Sequence, residues 1–160
     1  MSRIRRTYRR NSPEAAARVI AALMVHDGRL DWRELEFLDG VGTLAILGIE
    51  RGRFMAVLER SLRERPSGVA AGRSASQARF DAELAAIDDR PTQLIVAAML
   101  LYLAEIDGLQ AGERELVRRA WKLWDVTPHI LEREMKIPLV RSHAVFRPAT
   151  FSARQERGQS

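Results

Sequence analysis

The chain has 160 residues, of which 46% are hydrophobic and 29% are charged, a composition that fits one globular domain with a substantial core. It contains no cysteine, which excludes disulfides, thiolate zinc sites and cysteine nucleophiles. The longest apolar run, residues 94–104, is shorter than the roughly 20 apolar residues that a membrane-spanning helix needs. We therefore expect a buried helix there and no transmembrane segment.

The net charge of +5 is concentrated at the two ends of the chain. Residues 1–12 contribute +5 and residues 137–160 contribute +3, which leaves −3 for residues 13–136, with 17 basic and 20 acidic side chains. A mildly acidic body is not typical of a domain whose folded face binds a phosphate backbone. We expect a basic N-terminal arm over 1–12 and a basic C-terminal tail over 137–160, each able to make weak, salt-sensitive contacts with anionic surfaces.

The N-terminal segment does not fit a secretory signal. Glu14 and Arg18 interrupt the apolar stretch that follows the first arginines, whereas a signal peptide needs a continuous apolar region. The Arg-rich, acid-free start is compatible with an organellar presequence, but a cytoplasmic location is the favoured prediction.

The first half of the chain predicts three helices. The first runs from about residue 13 to 26, opened by a capping serine and a first-turn proline. A variant capping box at Asp31 and Glu34 opens the second, although glycines such as Gly42 weaken it. A third is expected over about residues 50–64. The apolar positions of the second helix are Leu35, Leu38, Val41, Leu44 and Ile46.

The second half begins with a stretch of small, polar and glycine residues, 65–76, which predicts a flexible connector. A short helix follows, marked by Phe80, Leu84 and Ile87. The next helix, over about residues 91–106, is apolar on nearly every side. A helix of this kind is expected in the middle of a bundle.

Two further helices complete the pattern. One carries an apolar stripe, and the other opens at residues 127–128 and ends near Lys136. Trp121 and Trp124 have two open interpretations, a place in the core, which their helical spacing favours, and a partner-binding groove. The apolar stripe of the first of these two helices consists of Leu116, Val117, Ala120, Trp121, Leu123 and Trp124.

No strand pattern occurs, so the predicted fold is an all-α bundle of about seven helices.

One pattern occurs in both halves of the chain. An apolar helix ends at Asp27-Gly28 and leads through a short turn into a helix that begins with Glu34 and Glu36; the same order recurs around Asp107-Gly108. In the second copy the glutamates are Glu113 and Glu115, and a connector and another amphipathic helix follow in each case. This repetition predicts two pseudo-symmetric three-helix repeats, over residues 13–64 and 77–136.

This duplicated unit, present twice ~80 residues apart, resembles the TerB-like domain of tellurite-resistance proteins over residues 13–136. The resemblance implies an all-helical fold with two related halves. It also implies an acidic site that binds a divalent metal ion, and a role in bacterial stress response or tellurite resistance without known catalysis.

Two interpretations of the Asp-Gly turns stay open. Asp27 and Asp107 each follow an apolar helix, so their carboxylates face the negative end of the helix dipole and need compensation. In the interpretation that the residues alone favour, hydrogen bonds from backbone N–H groups of the turn compensate the carboxylate charge. In the second interpretation, a bound cation compensates it. Carboxylate ligands without cysteine then favour Ca²⁺, Mg²⁺ or Mn²⁺. The candidate metal ligands are Asp27, Asp31, Glu34, Asp107 and Glu113.

His26 is a less favoured addition to that set. It precedes Asp27 and could supply a nitrogen ligand, but a histidine at a helix end more often interacts with the last carbonyl groups. We expect no enzyme, because the sequence supplies neither a nucleophile nor an oxyanion hole.

The functional prediction is a cytoplasmic TerB-like module that acts as a sensor or scaffold in stress response, with an unidentified protein partner. The alternative is a metal-free protein-interaction module whose basic arms contact protein, membrane or nucleic acid.

Overall fold

The computed structural model describes residues 8–26, 33, 35, 36, 38, 42–64, 72–106 and 111–135, and the regular structure in them is entirely helical. The prediction of an all-α bundle is therefore confirmed. No helix among these residues is long and apolar enough to cross a membrane. The helices are α1 (Pro13–Met24), α2 (Thr43–Leu47), α3 (Arg51–Glu64), α4 (Gly72–Ala85), α5 (Arg90–Ile106), α6 (Ala111–Leu123) and α7 (Pro128–Met135).

Two helices, α1 and α5, form the centre of the bundle. The Ser12 hydroxyl accepts a hydrogen bond from the backbone N–H of Ala15 at 3.1 Å, and Pro13 begins α1, so the helix starts as its sequence predicts. Helix α1 contacts α2, α3, α4 and α5, and α5 also contacts α6 and α7. The predicted central position of the apolar helix is confirmed, since Val96, Leu100 and other side chains of α5 are fully buried.

The second predicted helix is interrupted, which is a correction to the sequence analysis. Residues 33, 35, 36 and 38 are helical, but Gly42 has a φ of +66° and precedes the separate five-residue helix α2. Leu38 and Leu44 are buried, whereas Ile46, named with them as an apolar position of that helix, is 61% exposed. The left-handed residue changes the rotational phase of the helix, so the spacing counted across it no longer identifies one face.

The core stripe of α6 is narrower than predicted. Leu116, Val117 and Trp121 are buried, but Leu123 is 56% exposed. Leu123 is the last residue of α6 and lies beyond the edge of the stripe, so its assignment to the core is wrong. A stripe of apolar residues predicts the middle of a buried face more securely than its margins.

Helix α4 is longer than the short helix that the apolar residues predict. It begins at Gly72, so its backbone includes the end of the stretch predicted as a connector. Residues 65–71 of that stretch lie outside the described residues. Phe80, Leu84 and Ile87, which mark the predicted helix, are buried. The first two attach α4 to the bundle, whereas Ile87 lies beyond its last residue, Ala85.

The segment before α1 is joined to the loop between α4 and α5. Asn11 has a φ of +58°, a left-handed conformation that asparagine tolerates better than most residues. Its side-chain oxygen accepts hydrogen bonds from the backbone N–H groups of Asp88 at 2.8 Å and Asp89 at 3.1 Å. Its backbone N–H donates to the carbonyl oxygen of Ala86 at 3.0 Å. The end of the stretch predicted as an arm is thus fixed to the bundle.

The ends of α2 and α6 have the same backbone geometry. At the first, the N–H groups of Gly48 and Ile49 donate to carbonyl oxygens three and five residues back, both at 3.0 Å. At the second, those of Asp125 and Val126 do the same at 3.2 and 2.8 Å. Gly48 and Asp125 both have positive φ, +75° and +50°. Each end is a Schellman-type motif that satisfies the last carbonyl groups of its helix.

Two glycine substitutions separate backbone strain from helix propensity. We expect Gly48→Ala to lower the free energy of unfolding by about 1–2 kcal/mol, because a side chain strains the left-handed conformation. The new methyl group would meet only Pro13 Cγ at 3.8 Å, so steric overlap adds nothing. Gly52→Ala, in α3 with open space around it, should instead stabilise by about 0.5 kcal/mol. Urea unfolding of both variants tests this, and equal effects would contradict it.

Candidate functional site

Of the five predicted metal ligands, one lies among the described residues. Glu113 lies in the first turn of α6 and is half-buried. No group of three or more histidine, cysteine, aspartate or glutamate side chains within the described ranges is arranged to hold a metal. That finding concerns the described residues alone, and the other four candidates lie outside them, so the metal site stays a prediction. The candidates outside the described residues are Asp27, Asp31, Glu34 and Asp107.

The structure nevertheless brings together two residues that flank the Asp-Gly turns. His26 follows α1 and directly precedes Asp27, and its imidazole lies against Gly112 in the first turn of α6. A Cβ atom added to Gly112 would lie 2.5 Å from His26 Nε2, closer than non-bonded atoms approach. The absence of a side chain at Gly112 therefore lets the end of α1 meet the start of α6. The only sequence signal for this contact is a glycine inside a helix, where it is unfavourable.

A second candidate site, which the sequence pattern did not single out, lies between α1, α3 and α4. We call it the arginine–glutamate cluster; its members are Arg18, Arg60, Glu64, Arg79 and Glu83. The side chain of Arg18 is 12% exposed and that of Glu83 is 13% exposed. A charged group removed from water to this degree is costly unless it is paired and hydrogen-bonded.

Arg18 connects the three helices of the cluster. Its Nε donates to Glu83 Oε1 at 2.9 Å, its Nη1 donates to the buried hydroxyl of Ser61 at 3.0 Å, and its Nη2 donates to Glu64. Arg18 is on α1, Ser61 and Glu64 are on α3, and Glu83 is on α4. One guanidinium group thus fixes α3 and α4 against α1, using the several donor directions that arginine offers.

Glu64 accepts hydrogen bonds from three arginines. Besides Arg18, Arg60 Nε donates to Oε1 at 2.8 Å and Arg79 Nη2 donates to Oε2 at 2.6 Å. Burial disfavours the charged form of Glu64, but the hydrogen bonds from Arg60 and Arg18 outweigh it, so the pKa of Glu64 lies below its usual value. The ring of Tyr8 lies 5.4 Å from the Arg60 guanidinium carbon, a distance suited to a cation–π contact.

Glu83 is in a different environment from Glu64. Burial raises its pKa above the usual range, despite the opposing charges of Arg18 and Arg79. Its second oxygen, Oε2, is buried and has no hydrogen-bond partner among the described residues. The cluster therefore contains one carboxyl group whose pKa is lowered by its arginine partners and one whose pKa is raised by burial.

The opposite side of α4 is paired with α6. Arg119 Nε and Nη2 donate to the two carboxylate oxygens of Asp81, both at 2.5 Å, a bidentate arrangement. The hydrogen bond from Arg119 holds the pKa of Asp81 below its usual value. Helix α4 is thus joined by ion pairs to α1 and α3 through Glu83 and Arg79, and to α6 through Asp81.

Trp121 in α6 and Trp124, which directly follows α6, are part of the core. Trp121 is 2% exposed and Trp124 is 5% exposed, so the favoured interpretation is confirmed. Trp121 Nε1 donates to the carbonyl oxygen of Ala97 at 3.2 Å, and Trp124 Nε1 donates to that of Leu84 at 3.4 Å. Both polar tips are satisfied, as burial of tryptophan requires.

Two large hydrophobic side chains in the described part of the chain face water, and they occupy equivalent positions. Ile46 lies two residues before Gly48 and Leu123 lies two residues before Asp125, in the two helix ends that share one geometry. Their neighbours Leu47 and Trp124 are buried. The similarity of the two helix ends therefore extends from the backbone to the pattern of exposure.

No family model, curated protein or solved structure matches this chain. The TerB-like resemblance consequently depends on the duplicated sequence pattern alone and stays a prediction.

A double-mutant cycle tests the contact between α1 and α6. We expect Gly112→Ala to destabilise the protein by about 1 kcal/mol, because the new methyl group displaces the His26 ring. In a His26→Ala background the same substitution should stabilise by about 0.5 kcal/mol, since alanine is the better helix former. Unfolding in urea gives the four free energies. A Gly112→Ala effect that does not depend on residue 26 would contradict the contact.

The opposite pKa shifts on α4 predict opposite pH dependences. The folded pKa of Glu83 lies above its unfolded value, so its stabilising contribution is present at low pH and is lost as the pH rises through the folded pKa. The folded pKa of Asp81 lies below its unfolded value, so its contribution is present at neutral pH and is lost as the pH falls through the folded pKa.

We therefore expect Glu83→Gln to reduce the loss of stability that the wild type shows on raising the pH, and Asp81→Asn to reduce the loss on lowering it. Urea midpoints measured from about pH 3 to pH 8 cover both transitions. Curves for both variants that run parallel to the wild type would show that neither carboxylate has the assigned environment.

Proposed function

We propose that the chain is a non-enzymatic, TerB-like module of stress response that binds a divalent cation through its Asp-Gly turns and acts as a sensor or scaffold. The observation that supports this proposal is the contact between His26 and Gly112. The contact joins the end of α1, which precedes the first Asp-Gly turn, to the start of α6, which follows the second Asp-Gly turn.

The connectivity of the chain relates this contact to the candidate ligands. Asp27 follows His26 directly, Glu113 follows Gly112 directly, and Asp107 follows α5, which ends shortly before α6 begins. Consecutive Cα atoms are 3.8 Å apart. Short stretches of chain therefore link acidic residues from both proposed repeats to one contact at one end of the bundle.

The electrostatics of the helix ends favour a cation in this region. An aspartate that follows a helix adds a negative charge to the negative end of the helix dipole, which is unfavourable by some tenths of a kcal/mol. The repulsion increases if two such aspartates and their glutamates lie close together, as we propose, and a divalent ion would then remove it. Oxygen donors select Ca²⁺, Mg²⁺ or Mn²⁺. A cation bound by both turns would couple the two halves of the chain, which is the property that a sensor or scaffold needs.

The proposed duplication is supported by the ends of α2 and α6. Gly48 and Asp125 have the same hydrogen-bonding pattern and the same sign of φ, and the exposed residues Ile46 and Leu123 precede them by the same distance. The backbone motif is common at helix ends, so the matching exposure of Ile46 and Leu123 is the feature that adds to it. We infer that two three-helix repeats, each with its own Asp-Gly turn, make up the body of this bacterial-type module in the cytoplasm.

Thermal unfolding with added metal tests the proposal. A metal at a hundred times its Kd stabilises a folded protein by about 2.7 kcal/mol, so Ca²⁺, Mg²⁺ or Mn²⁺ should raise the Tm and EDTA should reverse the increase. Asp27→Asn with Asp107→Asn should abolish the shift. A control with the same charge change, Glu50→Gln with Glu59→Gln, alters two exposed residues outside the candidate set and should retain it.

Two results would contradict metal binding. One is the absence of a shift with any of the three ions, and the other is an equal shift in the Asp27/Asp107 variant and its control. Either result would favour the alternative function, a metal-free protein-interaction module with basic arms. The observation that supports this alternative function is the exposure of the Ile46 and Leu123 side chains.

A further inference from the structure

Three guanidinium groups from three different helices converge on one carboxylate in the arginine–glutamate cluster. Arg18 from α1, Arg60 from α3 and Arg79 from α4 all donate to the side chain of Glu64. Arg79 also donates through Nη1 to the backbone carbonyl oxygen of Glu64. The side chain of Glu64 is 35% exposed, so this convergence point is open to water.

Glu64 does not balance the charge that surrounds it. The cluster holds three arginines and two glutamates, and its formal charge is therefore positive even with both carboxylates ionised. Glu64 is also the last residue of α3, where the helix dipole disfavours a carboxylate. The arginines, rather than its own helix, hold this side chain in place.

We propose that Arg18, Arg60 and Arg79 form a binding site for a phosphate-type dianion, in which the Glu64 carboxylate is an intramolecular substitute for the ligand. Without Glu64, the three arginines and Glu83 carry a formal charge of two positive units, which a dianion balances. Guanidinium groups bind phosphate oxygens through paired hydrogen bonds. A tetrahedral oxyanion also offers more acceptor oxygens to three converging donors than a planar carboxylate does.

The arginines keep their positions when Glu64 moves away, because each has other partners. Arg18 remains bound to Glu83 through Nε and to Ser61 through Nη1, Arg79 lies near Glu83 as well, and Arg60 is covered by Tyr8. Binding then requires little ordering of side chains, and this preorganisation favours affinity. The site lies between α1, α3 and α4 and includes none of the residues proposed to bind a metal, so its occupancy is tested independently of that proposal.

Phosphate titrations of matched variants test the site. Inorganic phosphate is the probe, followed by isothermal calorimetry and ³¹P NMR against chloride at equal ionic strength, because phosphate salts also stabilise proteins by exclusion from the surface. Glu64→Gln removes the competing charge and keeps the side-chain shape, and we expect phosphate to bind it roughly tenfold more tightly than the wild type. Glu59→Gln makes the same charge change at an exposed position of α3 and should leave the affinity unchanged.

Adding Arg60→Gln to Glu64→Gln should remove the gain in affinity, since one of the three donors is lost. Equal phosphate affinities for Glu64→Gln and Glu59→Gln would overturn the proposal. If Glu64→Gln does not fold, the wild type decides the question. Saturable phosphate binding that disappears in Arg60→Gln supports the site, and the absence of saturable binding at millimolar phosphate overturns it.

Discussion

The arrangement of this bundle depends on a buried charge in its central helix. Arg18 lies in α1 among residues such as Ala17 and Val19, which are fully buried. An unpaired charge in that position would cost several kcal/mol, so the partners of Arg18 must approach it from the neighbouring helices. Ser61 and Glu64 bring α3 to one side, and Glu83 brings α4 to another. Apolar packing alone would permit these helices to slide, whereas the directional hydrogen bonds of one guanidinium fix their register.

Helix α4 shows how polar contacts hold a helix that has few apolar residues with which to do so. It lies against α1 and α6, with Phe80 and Leu84 in the core. Asp81 joins it to Arg119, and Glu83 joins it to Arg18. The helix thereby links the parts of the chain that we propose to be two repeats. The pKa values of its two carboxyl groups are shifted in opposite directions. Glu83 is buried without a full set of hydrogen-bond donors, whereas Asp81 accepts two hydrogen bonds from Arg119.

The sequence predicted the helices well where their apolar spacing is regular and poorly where a backbone irregularity intervenes. The serine before α1, the proline at its first position and the all-round apolar pattern of α5 correctly located those helices. Gly42 was recognised as a weak point, but spacing could not show that it adopts a left-handed conformation directly before the separate helix α2. Ile46, on the far side of that break, was counted with the apolar positions of one continuous helix, but it is exposed. Leu123 was misassigned for a different reason, since a stripe has no sharp edge in sequence.

By itself, the sequence determined the all-helical architecture and the central place of α5, and it favoured a core position for Trp121 and Trp124, because helical periodicity and turn residues act locally. It also predicted the duplicated Asp-Gly unit, and most of the candidate metal ligands of that unit lie outside the described residues. Only the tertiary structure revealed the His26–Gly112 contact and the arginine–glutamate cluster. Arg18, Glu64 and Glu83 come from three separate helices, and in the sequence each resembles an ordinary surface charge. Their meeting depends on how the helices pack, which no local pattern of residues encodes.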